Sequence, residues 1–296
     1  MRIVSLLPSA TEILFALGAG DDVVGVTFEC DHPAEARTRR VVSTSAMPEG
    51  LSSKEIDDFV SGALAAGEDL YHLDAGALAD LDADLVVTQD LCAVCAVDVA
   101  KVDDALDHLG CRAEVLTTDP HTLEEVLTSV VDLGTACGRK AEGRRLVASR
   151  RERLYAVEEL VRGGHRPRAL VLEWTDPPFA PGHWVPEMVT AAGGEPTLGQ
   201  AGERSERVTW QAAVASAPEV VVVAPCGYHL EGATALAQKV VDADVLPPGT
   251  PVWAVDANAS FARPGPRLVD GIEALAGIFH PAAAPPPVAA MARRVR

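Results

Sequence analysis

Short apolar runs alternate along this chain with stretches whose apolar residues recur every three or four positions. That alternation predicts parallel β-α units. In the first half the predicted strands are 3–7, 23–27, 40–42, 85–88 and 113–116; in the second half they are 169–173, 220–224 and 252–255. Helical periods fall at 10–17, 53–66, 99–109 and 185–192, and a last helix is expected at 267–279. Ser9 and Glu12 have the spacing of a capping box at the start of the first helix. Between the halves, residues 122–161 carry no strand signal. They predict one helix over 122–136, interrupted near Gly134 and Gly138, and a longer one over 140–161 that would span about 33 Å.

These elements divide the chain into an N-terminal α/β lobe at residues 1–118, a helical segment at 119–164 and a C-terminal α/β lobe at 165–281. Residues 282–296 are rich in proline and alanine and are expected to be disordered. A helical crossover is stiffer than crossing strands, so only small lobe motions are expected. The length of 296 residues, with 48% apolar and 23% charged residues, suits two packed lobes rather than a disordered chain.

Ligands of open parallel sheets bind outside the carboxyl ends of the strands. Only 4% of the chain is aromatic, yet Trp174, Phe179, Trp184, Tyr228 and Phe261 all fall in the loops expected there. Glu29, Ser45, Gln89, Asp90, Glu173, Asp176, His183, Asn258 and Arg263 are further candidate ligand contacts in those regions. Concentrated aromatic and metal-capable side chains predict a ligand cleft, and plugging of the interface between the lobes is the alternative for some of the aromatics.

The net charge of -18 argues against nucleic acid and anionic membrane surfaces as partners. A basic stretch from Arg139 to Arg153 is interleaved with Glu142 and Glu152 and reads as a solvated helix face. No run approaches the ~20 apolar residues that span a bilayer, so no membrane insertion is expected. Pro8 ends the first apolar run after five residues, shorter than a secretory signal requires, which predicts a cytoplasmic chain with reduced thiols, or an extracytoplasmic one only if the sequence has been trimmed.

Cys92-x-x-Cys95, with Cys30 and His32 on the neighbouring strand-end loop, has the composition of a four-ligand zinc or iron site. Packing of Cys92 and Cys95 at a helix start and redox cycling of the pair are the alternatives. Glu173, Asp176, His183 and Glu187 suit a cationic ligand or acid–base chemistry. Arg263 suits a carboxylate or phosphate, or a plain salt bridge.

Several segments carry a family pattern. Leu7-Pro8-Ser9-Ala10-Thr11-Glu12 followed by Leu17-Gly18, and Val24-Gly25-Val26 with Asp31-x-Pro33, resemble the opening of the class III substrate-binding proteins. Leu81-Asp82-Ala83-Asp84-Leu85-Val86, Pro177-Pro178-Phe179, Ala192-Gly193-Gly194-Glu195 and Arg263-x-Gly265-Pro266-Arg267 are similar to later landmarks of that family, in the same order. The resemblance covers about residues 2 to 280, closest to the cobalamin-binding branch. It implies two Rossmann-like α/β lobes with central parallel sheets, joined by a long rigid backbone helix, with the ligand in a cleft between the lobes. It also implies a corrinoid, haem, iron chelate or metal ion as ligand. Docking of acidic lobe faces, such as that of Glu187, onto a transporter subunit is implied as well.

Motif by motif, four corrin-facing aromatics of the cobalamin branch correspond to Glu29, Ser45, Gln89 and Ser260. Each loss removes about 1.5–3 kcal/mol of apolar burial. Two functions are therefore expected in order: a carrier, sensor or importer component for a corrinoid or metal chelate, then a cytoplasmic enzyme on the same scaffold using the Cys/His/Glu residues, with or without a bound metal.

Overall fold

The computed structural model describes residues 1–66, 68, 70–89 and 113–296. The expected helix at 99–109 lies outside them. The chain divides into two compact units, Met1–Pro120 with Leu127–Val147, and His121–Val126 with Ala148–Arg296. The helical segment expected at 119–164 is thus apportioned between the two.

The first unit holds strands β1 (Ile3–Ser5), β2 (Val23–Thr27), β3 (Arg40–Ser45), β4 (Tyr71–Leu73), β5 (Leu85–Thr88) and β6 (Glu114–Thr117). They form one sheet in the order β4-β3-β2-β1-β5-β6, parallel except for β4. Central strands buried on both faces read as continuous apolar runs, which is why Ile3–Ser5 and Leu85–Thr88 were legible as strands. Helices α1 (Pro8–Ala16), α2 (Ser53–Ala66) and α3 (Ala75–Ala79) belong to this unit. Strand order reverses beside β1, so the start of α1 sits at the sheet's topological switch point.

The capping box expected at Ser9 and Glu12 does not form. Leu7 is the N-cap residue without a side-chain bond, and Pro8 opens the helix, where its missing N–H costs nothing. The reciprocal pattern occurs instead at Ser52 and Glu55, whose carboxylate accepts the Ser52 N–H at 2.8 Å.

Helix α4 (Leu123–Ala136) ends at Gly138, whose φ of +72° is left-handed, and α5 (Lys140–Val161) follows. Arg153 of α5 is clamped rather than solvated. Its Nε and Nη2 donate to Glu273 at 2.8 and 2.6 Å, and Nη2 also reaches Asp270 at 2.6 Å. A bidentate fork of this kind fixes α5 on the last helix of the second unit and holds the guanidinium protonated.

The second unit is built on β7 (Arg168–Leu172), β10 (Glu195–Pro196), β12 (Val220–Val223), β13 (Val252–Val255) and β14 (Ala292–Arg294), in the order β10-β7-β12-β13-β14. All four residues of β12 are buried, with apolar clusters on both sides of the sheet. A small antiparallel sheet of β8 (Trp174–Thr175), β9 (Pro178–Ala180) and β11 (Glu206–Arg207) follows the end of β7. Helices α6 (Val185–Ala191), α7 (Trp210–Ala215), α8 (Leu230–Asp242), α9 (Ala257–Ser260) and α10 (Leu268–Phe279) complete the unit.

The expected disordered tail is corrected here. Residues 292–294 form β14, antiparallel to β13, and the Val295 N–H donates to the Val252 carbonyl at 2.8 Å. Arg296 Nε reaches the Thr250 carbonyl at 2.8 Å, and Ala284 and Ala292 are buried. An open ladder on β13 accepts any chain able to extend beside it, whatever its proline content upstream.

Candidate functional site

In the first unit, the carboxyl ends of β2 and β3 and the start of β4 share one edge of the sheet. Ser45 is the Cα partner of Tyr71, and Glu29 follows the end of β2. The Tyr71 hydroxyl donates to Glu29 Oε2 at 3.2 Å, and the Tyr71 ring lies 6.0 Å from that of Phe28, an exposed aromatic. Glu29 and Ser45, both expected contacts, are thereby brought to one edge together with two aromatics that sequence reasoning passed over. Tyr71 was missed because β4 is three residues long and gives no periodic signal. Gln89 follows β5 at the same edge but is buried.

The expected metal set finds no support in this edge. Cys30 is 3% exposed, and its sulfur lies 3.0 Å from the Thr11 hydroxyl, which also donates to Ser5. That thiol belongs to a buried polar cluster at the switch point. His32 is exposed on the loop beyond. Cys92, Cys95 and Asp90 lie outside the described residues. Among the described residues, no three His, Cys, Asp or Glu side chains converge on a position that holds a metal ion.

The second unit builds a more complete surface. In the small sheet, Trp174 is paired with Phe179 and Phe179 with Arg207, so the three project from one face. Thr175, Pro178 and Ala180 take the opposite face and are buried. The Arg207 guanidinium lies 5.6 Å from the Phe179 ring centre, in cation–π range. Tyr228, in the turn after β12, brings its ring to 5.7 Å from that of Trp174. The indole N–H of Trp174 donates to the Asp176 carbonyl at 3.1 Å, which fixes the ring's tilt. The Asn258 N–H donates to the Tyr228 carbonyl at 3.2 Å, and His229 Nδ1 meets Asp256 at 3.1 Å, so three strand-end loops are tied into one surface.

Beside this surface, Glu173 accepts the Ser205 hydroxyl, and Ser205 Oγ accepts the Gly182 N–H at 3.2 Å. Gly182 is required here: a Cβ would stand 2.3 Å from the Glu203 carbonyl oxygen. His183, with φ at +49°, donates its N–H to that carbonyl at 2.6 Å and accepts the Gly202 N–H at 3.0 Å. The loop at 200–205 is thus clamped onto His183. Burial holds the His183 imidazole below the ordinary 6.5, and the neighbouring His121 and Arg204 push the same way.

Two expected contacts are placed elsewhere. Trp184 and Phe261 are 5% and 2% exposed, and both belong to the core of the second unit. Their apolar surface is spent on packing, so they are corrected from ligand contacts to core residues. Ser260, the counterpart of a fourth corrin-facing aromatic, is wholly buried. Arg263 is partly buried near the start of α10. Glu187, expected on a docking face, accepts the Leu123 N–H at 2.6 Å, satisfying an orphan donor at the start of α4.

Comparison with known proteins follows from this architecture. Residues 3–247 match the family described as periplasmic binding protein. A substrate-binding lipoprotein of an ABC transporter, uncharacterized YvrC of Bacillus subtilis (strain 168), is 30% identical over 159 residues, 53% of this chain; the match spans only 41% of that relative. Among solved structures, a periplasmic heme binding protein from Pseudomonas aeruginosa superposes with a TM-score of 0.72 at 20% identity, covering 98% of this chain and 96% of the other. The periplasmic heme-binding protein RhuT from Roseiflexus gives 0.68 at 22%, covering 95% and 98%. The vitamin B12 binding protein BtuF of Vibrio cholerae gives 0.64 at 20%, covering 94% and 96%.

These matches overturn the cytoplasmic expectation: the family is periplasmic and the Bacillus relative is a lipoprotein. That expectation rested on the first eight residues, which here form β1 and the start of α1 and so report on the fold rather than on export. The chain belongs to the periplasmic binding protein family, in its class III substrate-binding group.

Proposed function

We propose that this chain captures a metal-bearing macrocycle or iron chelate for an ABC importer. The one-sided aromatic surface of the second unit carries the reading, with Trp174, Phe179 and Tyr228 grouped beside Arg207. A flat, apolar, partly anionic guest suits rings backed by a guanidinium. The superposed proteins named for heme and vitamin B12 support the same class of guest. At the first unit, Glu29 and Ser45 stand where the cobalamin branch has aromatics, which favours a guest with more polar contacts than a bare corrin face offers.

The enzyme reading rested on a Cys/His/Glu cluster, and nothing among the described residues supports it. Cys30 is engaged with Thr11, and Glu173 with Ser205.

Titration with haem, cobinamide, cobalamin and ferric chelates, read by quenching of tryptophan emission, tests the proposal. Binding of at least one at micromolar concentration or below is expected, weakened about tenfold or more in Phe179→Ala. Failure of every one to bind at that level overturns it.

A further inference from the structure

Helix α1 starts without a cap: Leu7 precedes it with no side-chain bond, and Pro8 opens it. The Thr11 N–H is satisfied by the Leu7 carbonyl at 3.0 Å, but the Ser9 and Ala10 N–H groups find no acceptor among the described residues. Both residues are buried, Ser9 to 4% exposure. Donors withdrawn from water without an acceptor are unfavourable, so they call for a partner from outside the fold. The Ser9 hydroxyl has no partner among the described residues either. Ser9 is the second residue of the helix, and its Cβ leans back toward the N-terminus, beside the two N–H groups.

A second buried polar group stands beside that end. Gln89 is 6% exposed, and its side-chain amide has no partner among the described residues. The ladder fixes its place. Ser5 of β1 is the Cα partner of Val87 of β5, and the Leu6 N–H donates to the Val87 carbonyl at 2.9 Å, so Gln89 runs alongside Leu7. Val4, Leu6 and Val86 pack into the apolar cluster on one face of the sheet. Alternation then puts Ser5, Val87 and Gln89 on the other face. Helix α1 lies over that second face, because the Thr11 hydroxyl donates to Ser5 Oγ at 2.9 Å. Ser9 and Gln89 thus approach the same end of α1, at the sheet's switch point. Glu12, also buried, follows Ser9 by three residues on the same side of the helix. A carboxyl group so near makes an anionic oxygen a poor occupant for these donors. A neutral oxygen fits.

We propose that the start of α1 is a subsite for a neutral carboxamide, received by the Ser9 and Ala10 N–H groups, the Ser9 hydroxyl and the Gln89 amide. A carboxamide carries an oxygen that accepts and an NH2 that donates. Its oxygen takes the two helix N–H groups, at the dipole end that favours an electron-rich atom. Its NH2 donates to the Gln89 side-chain oxygen and to Ser9 Oγ. A carboxylate has acceptors only and would leave the Gln89 oxygen unmatched. As an arm of the guest, the carboxamide rests on the carrier reading, and it favours at this end a macrocycle with amide arms over one with carboxylates.

The N–H resonances of Ser9 and Ala10 and the side-chain NH2 of Gln89 are followed by NMR while propionamide or propionate is added to the whole protein. A saturable shift at about millimolar propionamide is expected, weaker with propionate and about tenfold weaker in Gln89→Met. No saturable shift, an equal response to propionate, or the same affinity in Gln89→Met overturns the subsite. Gln89→Met removes a buried amide that lacks a partner, so the thermal midpoint of the empty protein should hold or rise. Should it fall, Ser9→Ala decides, and undiminished propionamide binding in that variant overturns the subsite. Cobinamide, which carries several carboxamide arms, is then titrated into the same proteins. Binding about tenfold weaker in Gln89→Met assigns the carboxamide to the guest. Unaltered cobinamide binding beside a propionamide response assigns the subsite to a separate small amide. Cobinamide binding with no propionamide response defeats the subsite alone. Propionamide binding with no macrocycle or chelate bound defeats the carrier reading alone.

Discussion

The indole N–H of Trp184 donates to the backbone carbonyl of Phe261 at 2.8 Å, and both rings are sealed in the core of the second unit. Trp184→Phe leaves that buried carbonyl without its donor, and the expected cost is about 1–3 kcal/mol. Urea unfolding measures it, with guest affinity unchanged. An unaltered urea midpoint with weakened guest binding would return Trp184 to the ligand surface.

Glu187 caps α4 through the Leu123 N–H. Glu187→Ala should lower stability by about 1–2 kcal/mol in urea unfolding, the range of a charge-assisted bond to a helix end. Reduced coupling to a transporter at unchanged stability would instead assign the carboxylate to docking.

His183 makes stability depend on pH. In the unfolded chain this imidazole takes up a proton near 6.5, while in the folded chain it stays neutral to lower pH. The contribution is therefore fully present above pH 6.5 and is lost as pH falls through the folded value, because the unfolded state binds the proton first. His183→Asn, which tolerates the left-handed backbone, should remove this component. Comparing thermal midpoints of the two proteins from pH 8 to 5 tests it, and parallel curves would show that His183 does not titrate in that window.

Residues 288–296 supply β14. Beyond the antiparallel ladder of β13 with β14, four backbone bonds tie this segment to β13 and its flanks: the Val295 and Arg296 N–H groups donate to the Val252 carbonyl, the Val252 N–H to the Arg296 carbonyl, and the Asp256 N–H to the Met291 carbonyl. Removing the segment should cost about 4 kcal/mol or more, at a net ~1 kcal/mol per bond, and expose the β13 edge to association. Urea unfolding and light scattering report the two effects, and an unchanged midpoint would mean the strand contributes nothing.

Much of the fold was legible before any coordinates. Buried parallel strands such as Val220–Val223 announce themselves as unbroken apolar runs, and long helices such as Lys140–Val161 by the absence of breakers. The short elements were not. Tyr71–Leu73, Trp174–Thr175 and Glu206–Arg207 are too brief to show a period, yet they carry Tyr71, Trp174 and Arg207 to the candidate surfaces.

Taken alone, the residue order determined which loops follow the strands, and hence that Glu29, Ser45, Trp174, Phe179 and Tyr228 sit at carboxyl strand ends. It did so because side-chain period and chain direction are local properties. Whether an aromatic in such a loop faces solvent or fills a core depends on partners far along the chain. Trp184 meets Phe261 across 77 residues, and His121 meets Gly202 across 81. Only tertiary packing, where burial and hydrogen bonding are decided together, sorted the core rings from the surface ones.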